Sequence, residues 1–463
     1  MKQSDLYDVA IIGGGVVGCA VARRFVLQGA RTVLLEKGSD ILSGASKGNS
    51  AILHTGFDAP KNSLELQCIK DGHAEYCDIR TKLNLPLLET GALVVAWSQD
   101  QLARLAGIVD QAHLNGVEDA VLISAEDVYR REPALGDGVQ GAVWVPDEHV
   151  IDPWSAPYAY LLQAGQNGAQ TRFGVDVQNG TFDGQHWTIP DQGGAIRAKV
   201  VINCAGLYGD LLDRDVLGQM DFTIKPRKGQ FVVYDKAAAD LLSAIILPVP
   251  TEITKGIVIT RTAFGNLLVG PTAEEQDDRA DASVDQATLK MLMNKAEELV
   301  PALRNMDVTA TYAGIRPATE RKEYRIQTHA DKNWITVGGI RSTGLAASLG
   351  IARHVYGLYE SMGRNHPAPV DVAWPKVQNL AAHRPRDWAK PGYGEIVCHC
   401  ELVTQREIEA ALDGPLAARS PGALKRRTRA TMGRCQGFNC THRLARITRG
   451  RMTPEFSVGD VDD

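Results

Sequence analysis

The stretch Tyr7 to Lys37 constrains the chain most. Tyr7–Ile12 is an apolar run interrupted only by Asp8, the length of one buried parallel strand. It runs into Gly13, Gly15 and Gly18, spaced G-x-G-x-x-G, after which Cys19–Gln28 reads as a helix ended by Gly29. A second apolar run, Thr32–Leu35, closes on Glu36, 18 residues beyond Gly18. Each part has a mechanical reason. Gly13 permits a tight strand-to-helix turn, Gly15 lets a pyrophosphate approach the backbone, and Gly18 lets helix and strand pack closely. The helix N-terminus presents free N–H groups to phosphate, and Glu36 is placed to accept from a ribose 2′-OH. A glycine turn can be purely structural. The strand, helix and acid at these distances instead predict a dinucleotide site, including Lys37 beside the acid, without separating FAD from NAD.

The 463 residues give material for two to four domains, and a net charge of −5 offers no general attraction to nucleic acid. No run of 18 uncharged apolar residues occurs, and MKQSDLYD leads directly into a strand, so we expect a cytoplasmic chain without signal peptide or spanning helix. Cys19, Cys68, Cys77 and Cys204 stand singly in apolar or helical contexts and read as buried, inert thiols. Cys398, Cys400, Cys435 and Cys440 form two close pairs, the usage of a metal site in a reducing compartment.

Between these ends, helices are predicted over Leu64–Leu83, Asp100–Asn115, Ala125–Arg131, Tyr158–Gln166, Ser283–Val300 and Thr343–Tyr359. Strands are predicted over Gly91–Trp97, Lys199–Ile202 and Trp334–Val337, and an antiparallel sheet over Phe222–Asp235 and Ile245–Gly270. Thr309–Ile326 reads as strand, Pro turn, strand. Met362–Glu395 holds five prolines and little periodicity, the mark of a linker or wrapping segment.

The glycine fingerprint, GASKGNSAILHTG (44–56), VVINCAGLYGD (200–210) and GGIRSTGLAASLGIA (338–352) follow in the order found in FAD-dependent oxidoreductases of the D-amino-acid oxidase and glycerol-3-phosphate dehydrogenase superfamily, which the chain resembles. SKGNSAILHTGF…NSLELQC is similar to 2-hydroxyglutarate dehydrogenases, and the C-terminal extension is similar to the large subunit of anaerobic glycerol-3-phosphate dehydrogenases. Gly48 and Ser50 depart from the phosphate-substrate branch. The resemblance implies an α/β fold: a doubly wound FAD-binding domain (about 1–85, 150–215 and 327–362) and an antiparallel-sheet substrate domain (about 86–149 and 216–326). A Pro-rich linker (363–394), a small helical [2Fe–2S] domain (395–452) and a tail (453–463) follow. It places Ala45, Ser46, Asn49, Ser50 and Ala51 along the flavin and pyrophosphate, and Ala205 and Gly206 beside the adenosine half. It sets Gly339, Thr343, Gly344 and Leu345 at a helix N-terminus near the flavin pyrimidine. With no cysteine expected beside the flavin, FAD is expected to be bound without a covalent link.

Removing a hydroxyl proton as hydride leaves carbon calls for a base of near-neutral pKa. His54 is the candidate, against the alternative that it only hydrogen-bonds the flavin or a neighbouring backbone. An anionic substrate calls for a fixed fork of donors. Arg316, within YAGIRPAT, and Arg341 are the leading candidates, with Arg261 and Lys228 behind them as residues equally suited to salt bridges. Tyr208 and Tyr312 could supply hydroxyls or simply pack.

The four late cysteines read C-x-C-x34-C-x4-C. Thr404-x-x-Glu407 is a capping box opening a helix, Ser420-Pro421 opens another, and Cys440 begins a third, Thr441–Thr448. Four thiolates suit [2Fe–2S] or zinc, although C-x-C with C-x4-C departs from zinc knuckles. RRTRATMGRCQGFNC resembles the bacterioferritin-associated-ferredoxin-like module, which implies [2Fe–2S]. His399 lies between two ligands and is not expected to be one. From Glu401 to Arg451 there are 11 Lys/Arg against 4 Asp/Glu, a balance of 11 − 4 = +7. Lys425-Arg426-Arg427 is either a solvated helix face or a surface for an acidic electron partner.

The expectation is a dehydrogenase that oxidises a small anionic secondary alcohol. Glycerol 3-phosphate leads, with a 2-hydroxy acid next and an amine or amino acid third. Electrons pass from FAD through the cluster to a protein or quinone-linked acceptor, with membrane association only through a partner. A scaffold protein that binds FAD without turnover is the non-enzyme alternative.

Overall fold

The computed structural model describes residues 6–191, 193–250 and 256–456. Its first sheet grows from the opening strand, Leu6–Ile12, which pairs in parallel with Thr32–Glu36 on one side and Gly194–Asn203 on the other. Gln170–Phe173 extends it beyond Thr32–Glu36, and Trp334–Gly338 pairs in parallel with the end of Gly194–Asn203. Antiparallel strands finish it: Trp187–Asp191 followed by the short Thr181–Phe182 on one side, and Arg325–His329 on the other. The central parallel strands are buried runs, so helices must cover them. Val16–Leu27, Leu64–Leu83, Ser155–Gln166 and Gly344–Ser361 supply that cover, with Phe25 packed edge-on against Tyr356 and Tyr359.

Two of these helices cross at reciprocal glycines. A Cβ on Gly72 would lie 2.1 Å from the carbonyl oxygen of Ala346, and one on Gly350 would lie 2.1 Å from that of Cys68. The backbones therefore touch, which anchors the third glycine segment beside the first.

The second sheet is built around Ile224–Tyr234 and Val308–Thr319, paired antiparallel along their whole length. Leu267–Gly270, Val258–Arg261, Ile245–Pro248, Ala92–Ala96, Gly141–Val145 and Val121–Ser124 continue it. Ile245–Pro248 meets Ala92–Ala96 in parallel, joining residues far apart in sequence. The expected Pro turn near 317 is absent: Pro317 lies inside one unbroken strand, opposite Pro226. Pro lacks an N–H donor, and two facing prolines let the ladder run on past both. The second predicted strand instead joins the first sheet as Arg325–His329.

Residues 362–395 carry no regular structure beyond the single turn Asp387–Ala389. They wrap the molecule, with Val377 N–H on Leu83 O and Ala382 N–H on Ala263 O. The C-terminal module holds the short helices Gln405–Leu412, Pro421–Thr428 and Thr441–Thr448. The Thr404–Glu407 capping box is fully formed. Val397, Ile408, Leu424 and Leu444 form its core. Among the described residues no helix is long and apolar enough to cross a membrane.

The helix crossing yields a test of sign. Helix propensity favours alanine over glycine by roughly 1 kcal/mol, whereas overpacking a close contact costs about 1–3 kcal/mol or more. Gly72→Ala and Gly350→Ala should each lower the thermal unfolding midpoint; a rise in either would refute the contact.

Candidate active site

A cavity of about 630 Å³ runs from the glycine turn of the first sheet to the second sheet. Its size suits a large bound cofactor with a small substrate. Gly13, in the left-handed region at φ 109°, sits where a Cβ would meet Cys204 O at 2.4 Å. Gly18 lies outside the lining, and a Cβ there would overlap Gly13 O at 1.9 Å, so it holds helix to turn. Gly15 lines the cavity with Ser46, whose Oγ accepts from Val16 N–H at 3.1 Å. Helices Val16–Leu27 and Gly344–Ser361 both start at the cavity with no acid in their first turns, leaving positive dipole ends toward it.

Glu36 lines the cavity but is partly engaged. Its carboxylate accepts from Gly14 N–H (2.6 Å), Gly38 N–H (2.7 Å) and Ser43 Oγ (2.9 Å), which fixes the loop and leaves acceptor capacity for a ribose hydroxyl. Lys37 Nζ stands 3.6 Å from the centre of the Tyr208 ring. Ala45, Asn49, Ser50, Ala205, Gly206, Gly339, Gly344 and Leu345 all line the cavity. Asn49 fixes its own loop, donating to Ser46 O and accepting from Ala51 N–H, while Tyr312 donates to Asn49 O at 2.7 Å.

Two expected cofactor residues lie elsewhere. Ala51 packs with Ile52, Ala92 and Val150 in a separate apolar cluster. Thr343 is buried behind the lining, its hydroxyl shared between Glu65 Oε1 (2.9 Å) and Tyr324 OH (2.6 Å). A hydroxyl with two buried partners is held by them and does not turn to a ligand. Cys204 does line the cavity, contrary to expectation, but burial pushes its thiol far up and leaves no thiolate for a covalent link.

At the second-sheet end stand Arg316 and Arg341. Arg316 is half-buried and forms no ion pair among the described residues; Nη2 donates to Thr272 O at 2.8 Å. Gly229 makes the space, since a Cβ there would lie 2.4 Å from Nη2. Burial, with Arg227 beside it, pushes the guanidinium down to about 10, still protonated at neutral pH. Arg341 Nη2 pairs with Glu65 Oε2 at 3.0 Å, and its Nε–H is buried without a partner. Lys228 and Arg261 do not line the cavity: Lys228 faces Asp281 at 3.8 Å, and Arg261 ends the strand Val258–Arg261.

His54 is outside the lining as well. Its Nδ1 is 2.9 Å from Glu148 Oε2, and the fully buried Glu148 also accepts from Thr55 N–H and Oγ1. The partners Glu65, Glu148 and Gly229 carry no local sequence signal. Nor do Val175 and Val177, which reach the cavity because Val175 N–H bonds Glu36 O across strands.

The four late cysteines meet as two pairs. Cys398 and Cys440 share a hydrogen bond that lowers the Cys398 thiol and raises Cys440, and Cys400 faces Cys435. Backbone N–H groups of Thr431, Glu401, Asn439 and Gly437 point at the sulfurs, as suits thiolate ligands. Among the described residues no three potential ligands close around a single ion. Two facing thiol pairs suit a binuclear cluster, two cysteines to each iron, better than one tetrahedral zinc.

The basic surplus is largely used within the chain. Arg427 Nη2 and Arg426 Nη2 bond Asp40 at 2.5 and 3.0 Å, and Arg429 Nε bonds Glu401 at 2.8 Å. Arg434 pairs with Asp235. Arg426 and Arg427 thus dock the module onto the first domain; they are neither a solvated face nor a free partner surface.

A glycine-turn cradle, two helix N-termini and a half-buried cationic end define a flavin-dependent oxidoreductase, here joined to a thiolate cluster module. Known proteins bear this out. The FAD dependent oxidoreductase (DAO) pattern matches residues 8–358, and the BFD-like [2Fe-2S] binding domain matches residues 396–449. The chain belongs to the FAD dependent oxidoreductase family, and its cofactors are FAD and a [2Fe–2S] cluster. It is 32% identical to a glycerol 3-phosphate dehydrogenase of Caloramator mitchellensis, over 99% of this chain and 97% of that one. It is 26% identical to one subunit of the anaerobic glycerol-3-phosphate dehydrogenase of Escherichia coli K12, over 96% and 88%. The FAD-bound, dithionite-reduced L-alpha-glycerophosphate oxidase of Mycoplasma pneumoniae superposes with a TM-score of 0.74 and 26% identity, over 82% of this chain and 99% of that one.

Protein prepared without oxygen should therefore hold two iron atoms per chain and release all its flavin on acid precipitation. Cys435→Ser should lose the iron and keep the flavin. One zinc per chain, or flavin retained in the pellet, would contradict these assignments.

Proposed function

We propose that the chain is a dehydrogenase for glycerol 3-phosphate that passes electrons to a protein or quinone-linked acceptor. The observation that carries this is Arg316, a half-buried, protonated guanidinium without a carboxylate partner among the described residues, at the cavity end opposite the glycine turn. An unpaired half-buried cation is costly unless an anion meets it. Arg341 adds a second set of donors held by Glu65, and the pair suits a phosphate or carboxylate. The names of the relatives favour the phosphate.

When bound, FAD accepts hydride from the alcohol carbon and the [2Fe–2S] cluster takes electrons singly. The protein's task is to orient the alcohol and take its proton. The lining residues include no histidine, and their carboxylates (Glu36, Asp176 and Asp215) belong to the first-sheet end. His54, four residues along the chain from the lining residue Ser50, is the base we assign. Its Nδ1 lies 2.9 Å from Oε2 of the buried Glu148, a contact that fixes the orientation of the imidazole ring. Tyr312 spends its hydroxyl proton on Asn49 O and stacks on the lining residue Phe231, centres 4.6 Å apart, so we assign it packing. The relative named as part of a larger enzyme supports further subunits, and any membrane association would run through them.

Anaerobic glycerol 3-phosphate should bleach the flavin; bleaching by a 2-hydroxy acid or amino acid alone would replace the substrate assignment. Arg316→Lys keeps charge but loses the planar fork, a loss of about 1.5–3 kcal/mol, or roughly 10- to 150-fold in kcat/KM. An unchanged kcat/KM would remove Arg316 from the site. His54→Asn should slow flavin reduction about 10²- to 10⁴-fold with KM little changed, whereas a rate within error of wild type would assign the base elsewhere.

A further inference from the structure

A continuous line of contacts joins the rim of the flavin cavity to the cysteine cluster. Lys47 lies between Ser46 and Gly48, both lining residues, and its carbonyl accepts from Trp154 Nε1 at 3.1 Å. The Trp154 ring stacks on Phe264, centres 5.4 Å apart and planes 12° from parallel. The Arg429 guanidinium in turn lies 4.0 Å from the centre of the Phe264 ring. Arg429 bonds Glu401, whose N–H points at Cys398, and Thr431, two residues on, donates its N–H to Cys398 and Cys440. Arg429 and Thr431 both hold left-handed backbone, φ 69° and 68°, a conformation that costs non-glycine residues and persists where the surroundings enforce it. Trp154, Phe264 and Arg429 come from three distant segments. Linker contacts, with Ala382 N–H on Ala263 O, clamp the loop that carries Phe264.

We propose that Trp154 and Phe264 form the electronic bridge between flavin and cluster, with Arg429 positioning it. The inference deepens the relay reading above and does not depend on the substrate. Reduced flavin holds two electrons. Each leaves singly, its proton going to solvent; the cluster is reduced by one electron and reoxidised by a one-electron acceptor before the second follows. No bond between heavy atoms forms or breaks. Stacked π systems at van der Waals contact couple neighbouring centres, and an aliphatic side chain opens a gap across which coupling falls steeply.

The test uses the anaerobic holoenzyme with its flavin reduced by a photochemical donor, so that substrate plays no part. Flavin absorbance and the paramagnetic signal of the reduced cluster are followed together. Trp154→Leu should slow cluster reduction about 10- to 100-fold, the sensitivity of a precisely positioned step to small misplacements. Flavin and cluster potentials should stay unchanged. Trp154→Phe, which keeps a ring but loses the indole N–H, should restore most of the rate. A wild-type rate in Trp154→Leu would overturn the bridge. So would slowing accompanied by a shifted potential, or equal slowing in Trp154→Phe. A wild-type cluster that stays oxidised while the flavin is reduced would overturn the relay reading itself, and the bridge with it.

Discussion

Gly18 leaves no room for a side chain: its Cα faces the carbonyl of Gly13 so closely that a Cβ would overlap it at 1.9 Å. That contact presses the helix Val16–Leu27 onto the turn after the first strand, and much of the structure follows from it. The carbonyl of Cys204, at the end of the neighbouring strand, closes against Gly13 by the same means. Three glycine-bearing segments are thereby brought to one crevice at the carboxyl ends of parallel strands, where open α/β sheets bind ligands. At the glycine turn these contacts are between backbone and backbone. Gly48 and Gly314 repeat the pattern at the other end, where a Cβ on Gly314 would lie 2.4 Å from Gly48 O. The cavity is thus walled by main chain at both ends, and charged side chains are set at its cationic end.

That cationic end is expensive in isolation. A half-buried guanidinium with one carbonyl partner loses part of its hydration, and the absence of a side chain at Gly229 gives Arg316 its place. Arg341 reaches the same cavity differently, because Glu65 on the helix Leu64–Leu83 neutralises it and also holds Thr343. One arginine is neutralised within the protein and the other is not, so an incoming anion completes the charge balance at Arg316 while Arg341 contributes its remaining donors.

Local signals make some of this legible in the sequence. The glycine fingerprint, the three glycine segments, the helix Leu64–Leu83 and the Thr404–Glu407 capping box are each set by neighbours within a few residues, and each stands where the pattern puts it. What escapes depends on pairing across long separations. Pro317 continues a strand because Pro226 faces it, a fact no window around either proline contains. Thr343 has the place of a ligand residue, at a helix start, but Glu65, 278 residues away, claims its hydroxyl. Glu148 and His54 are coupled across 94 residues, and neither position alone announces a dyad.

The charge of the C-terminal module shows the same limit more sharply. A balance of +7 over residues 401–451 measures composition, and composition suggests an external partner. The fold assigns most of that charge inside the chain: Arg406 to Asp387, Arg426 and Arg427 to Asp40, Arg429 to Glu401, Arg434 to Asp235, and Arg443 to Glu395. The Asp40 pairs are nearly buried, with side-chain exposures of 5% for Asp40 and 8% for Arg427. Pairs so deprived of water add little net stability, yet breaking one leaves an uncompensated charge, so they select one docking geometry over others. That geometry sets Arg429 over Phe264 and the cysteines behind it. The arginine-rich helix therefore acts first as an orienting device within the chain, holding the cluster module in register with the flavin domain.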